Sequence, residues 1–320
     1  MKDEILNFPR QFSYKPEIHN SGKFKMRREF IVAGMGGSHL AADLLKMWSP
    51  EISLIVHSDY NLPSLPKEKL RKTLTIANSY SGNTEETISA FESARKLNLP
   101  LIAIATGGKL LGLARKHKTP YIEIPKTNKE PRTAIGTSFV SLLKATGNNA
   151  RLREARELSS MLEPKTAYAE AKGLVRKISE RSLIIYSSER NHALAYIWKI
   201  SMNETGKIPA FTNVFPELNH NEMNSFSRKI KSAKNSPFYF LVLKSEDDPP
   251  RIQKRMSVLE NLLQNRNRPV KEINFGHGSN LKDVFQNVML AMWTSYFTAE
   301  EEGVNPDRVA MVEEFKRLLA

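Results

Sequence analysis

The sequence predicts an α/β protein with two doubly wound parallel-sheet domains and additional helices at its carboxyl end. Three observations carry that expectation. Short β-rich runs alternate with helical patterns through the first half, and the alternation restarts beyond an Arg- and Glu-rich stretch. Two glycine- and hydroxyl-rich loops stand where a strand gives way to a helix.

In the first half, strands are expected over residues 30–33, 53–56, 74–77, 101–105 and 121–124. Helices fall between them, most clearly over 85–97, where Ile88, Phe91 and Ala94 recur at helical spacing. Residues 146–166 read as helix or linker. The second half then offers strands at 182–186, 238–243 and 270–275, and helices at 192–203, 252–264, 281–301 and 306–319. The domains are accordingly placed at 1–150 and 151–320, with no close internal repeat and no low-complexity segment.

A chain of 320 residues, 40% hydrophobic and 26% charged, has the composition of an ordinary globular protein with a substantial core. With no cysteine it has no disulfide, thiolate ligand or thiol nucleophile. The acidic start Met1-Lys2-Asp3-Glu4 does not resemble a secretory signal, and no apolar run is long enough to span a bilayer. A cytoplasmic location is the expectation. The net charge of +14 is dispersed apart from small clusters such as Arg228-Lys229-Ile230-Lys231. Without a helix-turn-helix cue or interleaved aromatics, it suits steering of a small anion better than nucleic-acid binding.

The loops Gly34-Met35-Gly36-Gly37-Ser38 and Ser79-Tyr80-Ser81-Gly82-Asn83-Thr84 read as phosphate cradles. Free N–H groups at a helix start attract an anion, glycine permits close backbone approach, and hydroxyls add donors. Each loop alone reads equally well as a turn; two in one domain favour phosphate. His39 stands where a dinucleotide fingerprint needs its third glycine, which leaves that reading minor.

Glu204 is expected near the end of a helix, just before Gly206 and Pro209. The helix dipole disfavours a carboxylate there, a setting that suits a proton acceptor; a solvated helix-end glutamate is the plainer alternative. His220 lies in a loop between Asn219 and Asn221, where catalytic and merely exposed roles weigh equally. Arg132, after Pro131, can hold an oxyanion or stand on the surface. His192 and His277 read as structural or surface residues. The seven histidines show no metal-ligand spacing, so proton transfer without a metal or other cofactor is expected.

These segments, with Trp198-Lys199 to Asn203-Glu204 and Asn213-Val214-Phe215-Pro216-Glu217-Leu218-Asn219-His220-Asn221-Glu222, resemble the bifunctional phosphoglucose/phosphomannose isomerases, which are sugar isomerase (SIS) domain proteins. The likeness runs from about Phe30 to the end. It implies two SIS-type, flavodoxin-like domains and a homodimer with active sites at the subunit interface. It also implies a phosphorylated hexose substrate, with Gly36, Gly37, Ser38, Ser79, Ser81 and Thr84 holding the phosphate. Glu204 would move a proton between C1 and C2, His220 of the partner subunit would assist ring opening, and Arg132 would stabilise the enediolate.

Two departures stand out. The family usually has glycine at the position of His39, and Asp-Pro-Thr where this chain reads Asn305-Pro306-Asp307. Asp307 therefore puts mannose activity in question, and Lys316 aligns with the family's C-terminal lysine. A SIS protein that senses sugar phosphates without turnover, and an isomerase of another phosphosugar, stay open as alternatives.

Overall fold

The computed structural model describes residues 1–128, 130–178 and 180–319. The chain forms two compact units, Asn7–Leu162 and the stretch from Glu163 onward, and the short helix α1 (Lys2–Leu6) belongs to the second.

The amino-terminal unit runs β1 (Glu29–Ala33), α2 (Gly37–Trp48), β2 (Ser53–His57), α3 (Lys67–Lys72), β3 (Thr73–Asn78) and α4 (Glu85–Lys96). It continues through β4 (Leu101–Ala105), α5 (Gly108–Lys116), β5 (Tyr121–Glu123), α6 (Ile135–Ala145) and α7 (Asn149–Met161). Its five strands are parallel in the order β2-β1-β3-β4-β5. All residues of β3 and β4 are buried, which explains the unbroken apolar letters of β4, while β3 buries Thr73, Thr75 and Asn78 among its apolar residues. Right-handed crossovers put α2 and α6 on one face and α4 and α5 on the other. The ambiguous stretch after residue 146 begins as a true helix, because the Asn148 Oδ1 accepts the Arg151 N–H at 3.1 Å and caps α7.

The carboxy-terminal unit runs α8 (Pro164–Ile178), β6 (Ser182–Ser188), α9 (His192–Ser201), β7 (Ala210–Phe215), β8 (Phe238–Lys244), α10 (Pro250–Gln264), β9 (Val270–Asn274), α11 (Leu281–Glu301) and α12 (Ala310–Leu319). Its sheet is again parallel, in the order β7-β6-β8-β9. Both units therefore wind from an inner strand outward to one side and then to the other. α8, α9 and α11 cover one face, with Trp198 Nε1–H donating to Asn287 Oδ1 at 2.8 Å inside the core. On the other face, Tyr186, Phe215, Leu218, Phe226 and Phe240 pack with Met256 of α10.

Several elements differ from the sequence expectation, among them α8, most of which lies beyond the stretch read as helix or linker. β7 was not foreseen: as an edge strand it is only buried at its ends, so its letters lack an apolar run. The last helix begins at Ala310 rather than 306, because Asn305 Oδ1 accepts the N–H groups of Asp307 and Arg308 and holds a turn there.

Glu260 of α10 lies against Glu272 of β9, which Lys244 of β8 contacts at 3.3 Å. Burial first, then the charge and hydrogen bond of Glu272, push Glu260 up to about 7 against the pull of Lys244 and Lys271. A carboxyl raised by folding is harmless below its unfolded range and costs stability as pH rises through its folded value. Glu260→Gln should therefore match the parent near pH 4 and exceed it at pH 8 by about 1 kcal/mol, a figure reduced because the pair is partly in solvent. Chemical denaturation at the two pH values checks this; an equal difference at both would refute it.

Candidate active-site residues

In the amino-terminal unit the two glycine-hydroxyl loops follow β1 and β3, the adjacent strands at which the winding reverses. At such a reversal the connections leave in opposite directions and a crevice opens beyond the strand ends, where α/β sheets bind ligands. The loops are tied to each other there. The Tyr80 N–H donates to Ser38 Oγ at 2.9 Å, and Asn78 Nδ2 donates to the Ser38 carbonyl at 2.6 Å. Ser79 Oγ and Thr84 Oγ1 share a hydrogen bond of 2.9 Å, and Gly82 N–H donates back to Ser79 Oγ at 3.1 Å. Ser81 stands exposed at the tip.

Arg132 joins this group. Its backbone packs on the start of α2 so closely that a Cβ on Gly37 would stand 2.6 Å from the Arg132 nitrogen. The side chain is buried, and its Nη1 donates to Glu130 at 3.1 Å. The ring of His39 is tied down within its own helix: Nδ1 contacts Asp43 Oδ2, one turn along α2, at 2.5 Å.

Sequence reading missed the supports. Thr106-Gly107-Gly108, after β4, interlocks with the serine loop; Leu110 N–H donates to the Gly82 carbonyl at 2.8 Å. The same strand–glycine–helix pattern was present in the letters. Tyr80 Oη donates to the Asn128 carbonyl at 2.7 Å and accepts the Asn128 N–H at 3.0 Å, a clamp with no local sequence signal.

In the carboxy-terminal unit, Glu204 is not on an ordinary helix end. α9 widens into a π-helical turn, Met202–Gly206, closed by Lys207 in the left-handed region at φ 58°. The Asn203 side chain ties that turn to the start of β7, accepting the Ala210 N–H at 2.8 Å. Glu204 is half-buried beside this anchor, and Lys207 Nζ reaches its carbonyl. Such turns re-aim a side chain and recur at functional sites.

His220 follows β7 and the cis Phe215–Pro216 bond, at the end of the short turn Glu217–His220, and is exposed. Leu218 and Phe226 anchor the segment in the core. Glu222, also in it, is held by Tyr186 Oη at 2.7 Å and Asn213 Nδ2 at 2.5 Å. Burial, then the bond to Glu222, keeps the Tyr186 hydroxyl protonated well above the phenol range. Glu204 precedes β7 and His220 follows it. The six residues of that strand separate their segments by about 20 Å within one chain.

The equivalent crevice of this unit, between β6 and β8, is filled by its own carboxylate. Buried Asp248 accepts the Ser245 N–H at 2.9 Å and Asn191 Nδ2 at 3.0 Å. Beside it, burial raises Asp247 but bonds from Ser279 and His277 outweigh that and lower it to about 2, while the bond to Asp247 raises His277. Asp307 pairs with the Met1 ammonium at 3.2 Å, and Lys316 lies on the exposed helix α12. Among the described residues no group of His, Asp and Glu is arranged to hold a metal ion. Among the described residues no helix is long and apolar enough to cross a membrane.

Residues 167–319 match the family model described as the bacterial phospho-glucose isomerase C-terminal SIS domain. The chain is 33% identical to a bifunctional phosphoglucose/phosphomannose isomerase of Thermoplasma volcanium, over 96% of this chain and 97% of that one. It is 31% identical to a protein of the same name from Caldicellulosiruptor bescii, over 100% and 99%. Among solved structures, a hypothetical protein of Thermus thermophilus superposes with a TM-score of 0.71 over 100% of this chain and 88% of that one, at 18% identity.

Gly82 has a φ of +71°, and a Cβ there would meet the Gly107 carbonyl oxygen at 2.0 Å. Gly82→Ala should cost at least about 1–3 kcal/mol and weaken inorganic phosphate binding. Gly112→Ala, with nothing within 4 Å of the added carbon, should lower neither stability nor binding. Thermal unfolding and phosphate titration of the two variants check the contrast.

Proposed function

The chain belongs to the bifunctional phosphoglucose/phosphomannose isomerase family, and from that premise we propose that it interconverts glucose 6-phosphate and fructose 6-phosphate, with mannose 6-phosphate as a second aldose. The observation that carries the reading is Glu204, a carboxylate fixed in a π turn that Asn203 anchors to β7, within the segment matched by the isomerase model. A regulatory protein that only binds the sugar has no use for such a base.

In this reading the phosphate lies on Gly36, Gly37, Ser38, Ser79, Ser81 and Thr84, held by hydroxyls and by N–H groups at the helix starts. His220 relays the proton that opens the hexose ring. Glu204 then takes the C2 proton of the open aldose as the C1 carbonyl becomes an enediolate oxygen. A proton passes from the C2 hydroxyl to that oxygen, and Glu204 returns a proton to C1 as the C2 oxygen becomes the ketose carbonyl. Arg132 supplies positive charge for that oxygen. Electrons move only within the substrate, so no external oxidant or reductant enters. Either C2 epimer reaches the same enediolate once it can present its proton to Glu204. Asp307, paired with Met1, adds no unpaired charge against mannose 6-phosphate.

The separation of Glu204 from His220 along β7 supports a homodimer in which each His220 serves the site of the other subunit. A cytoplasmic location accompanies the proposal.

Chelator-treated protein should turn over both fructose 6-phosphate and mannose 6-phosphate in coupled assays. Glu204→Gln should lose about 10²–10⁴-fold in kcat while still binding the sugar phosphate. Normal turnover by that variant would exclude Glu204 as the base, and a folded parent that binds yet turns over neither sugar would favour a sensor. Mixing Glu204→Gln with His220→Ala subunits should restore about a quarter of parental activity, since half the dimers are then mixed with one intact site of two. No recovery on mixing would show that each chain completes its own site.

A further inference from the structure

We propose that the groove between α10 and the segment carrying His220 binds a small amphipathic polyanion of the size and charge of a nucleoside triphosphate. None of the proposed isomerase residues lines the groove, although Asn219 is the neighbour of His220, and the groove's existence does not depend on that function.

The groove encloses about 300 Å³, at the lower end of volumes typical for small-molecule sites. One wall is Asn219 and Met223; the other is a single face of α10, with residues 251, 254, 255, 258, 259 and 262 at helical spacing. Arg251, Lys254 and Arg255 crowd one end of that face. Like charges three and four residues apart repel, so the arrangement weakens the helix unless something anionic offsets it. Among the described residues none of the three forms an ion pair with a carboxylate, and Arg255 Nη1 donates only to the neutral Asn219 Oδ1, at 3.3 Å. The one acid of α10, Glu260, is turned away toward Glu272 and β9.

The other end of the groove is aliphatic. Val258 is 48% exposed there, and Leu259, Leu262 and Met223 continue the surface. Guanidinium groups bind phosphate oxygens in pairs, and an aliphatic floor with a flexible thioether accepts a planar ring. Cations at one end and an apolar bed at the other thus call for a ligand with a charged chain on a flat apolar body. An inorganic anion would leave the bed wet, and a neutral apolar molecule would leave the cations unmatched.

The test uses full-length protein carrying [methyl-¹³C]methionine. The Met223 signal among the eleven methionines is identified with Met223→Leu. Titration with adenosine 5′-triphosphate should shift the Met223 methyl resonance saturably. The Arg251→Gln/Lys254→Gln protein, unfolding at the parental temperature, should need at least about tenfold more nucleotide for the same shift. Inorganic pyrophosphate should move that resonance far less. The proposal is overturned by an unmoved Met223 signal, by an unchanged titration in the double variant, or by pyrophosphate acting as well as the nucleotide.

Discussion

The reversal of strand order at the inner strand of each sheet is the constraint from which the rest follows. β1 has β2 on one side and β3 on the other, so right-handed crossovers must carry the chain away in opposite directions and leave the strand ends uncovered. Backbone that borders such a gap has to satisfy its own polar groups or offer them to a ligand. The amino-terminal unit meets that demand with glycines, serines and a threonine whose loops are cross-tied through Ser38, Asn78 and Tyr80. The carboxy-terminal unit, wound the same way, closes its gap with Asp248. One topology thus yields a crevice lined by small neutral side chains in one unit, and a self-satisfied corner in the other, where a carboxylate already occupies the position.

The second organising feature is the edge strand β7. It lies between the π turn of Glu204 and the segment of His220, and parallel pairing with β6 fixes its direction and length. A strand cannot be shortened without breaking its ladder, so the segments that carry the two side chains join β7 at opposite ends. Both ends are anchored. Asn203 ties the π turn to the start of β7, while Leu218 and Phe226 seat the other segment in the aromatic core. Rigid supports of this kind are what the proposed proton transfer requires of its side chains.

Much of this was legible in the letters, and the reason differs by element. The buried parallel strands announced themselves because both faces demand apolar side chains; the run Leu101–Ala105 matched residue for residue. The helix Leu281–Glu301 did so as well. β7 escaped because half its surface meets solvent and Asn213 is used to hold Glu222. The phosphate-type loops were visible as glycine and hydroxyl between strand and helix, whereas Tyr80, Asn128 and Gly107, which brace them, act through partners distant in sequence.

The sequence by itself determined the α/β class, the alternation that forces parallel sheets, the placement of both glycine-hydroxyl loops at strand-to-helix junctions, and the singling out of Glu204, His220 and Arg132 as the candidates on which the proposed function rests. Those properties depend on residue type and short-range spacing, which local sterics and periodic burial impose. Tertiary structure alone decided that Arg132 packs on the first glycine loop, that Glu204 sits in a π turn rather than on a plain helix end, and that β7 runs as an edge strand between its segment and that of His220. It also decided that Asp248 fills the second crevice. Each of these depends on which strands become neighbours and how closely backbones approach, and neither is set until the sheet is assembled.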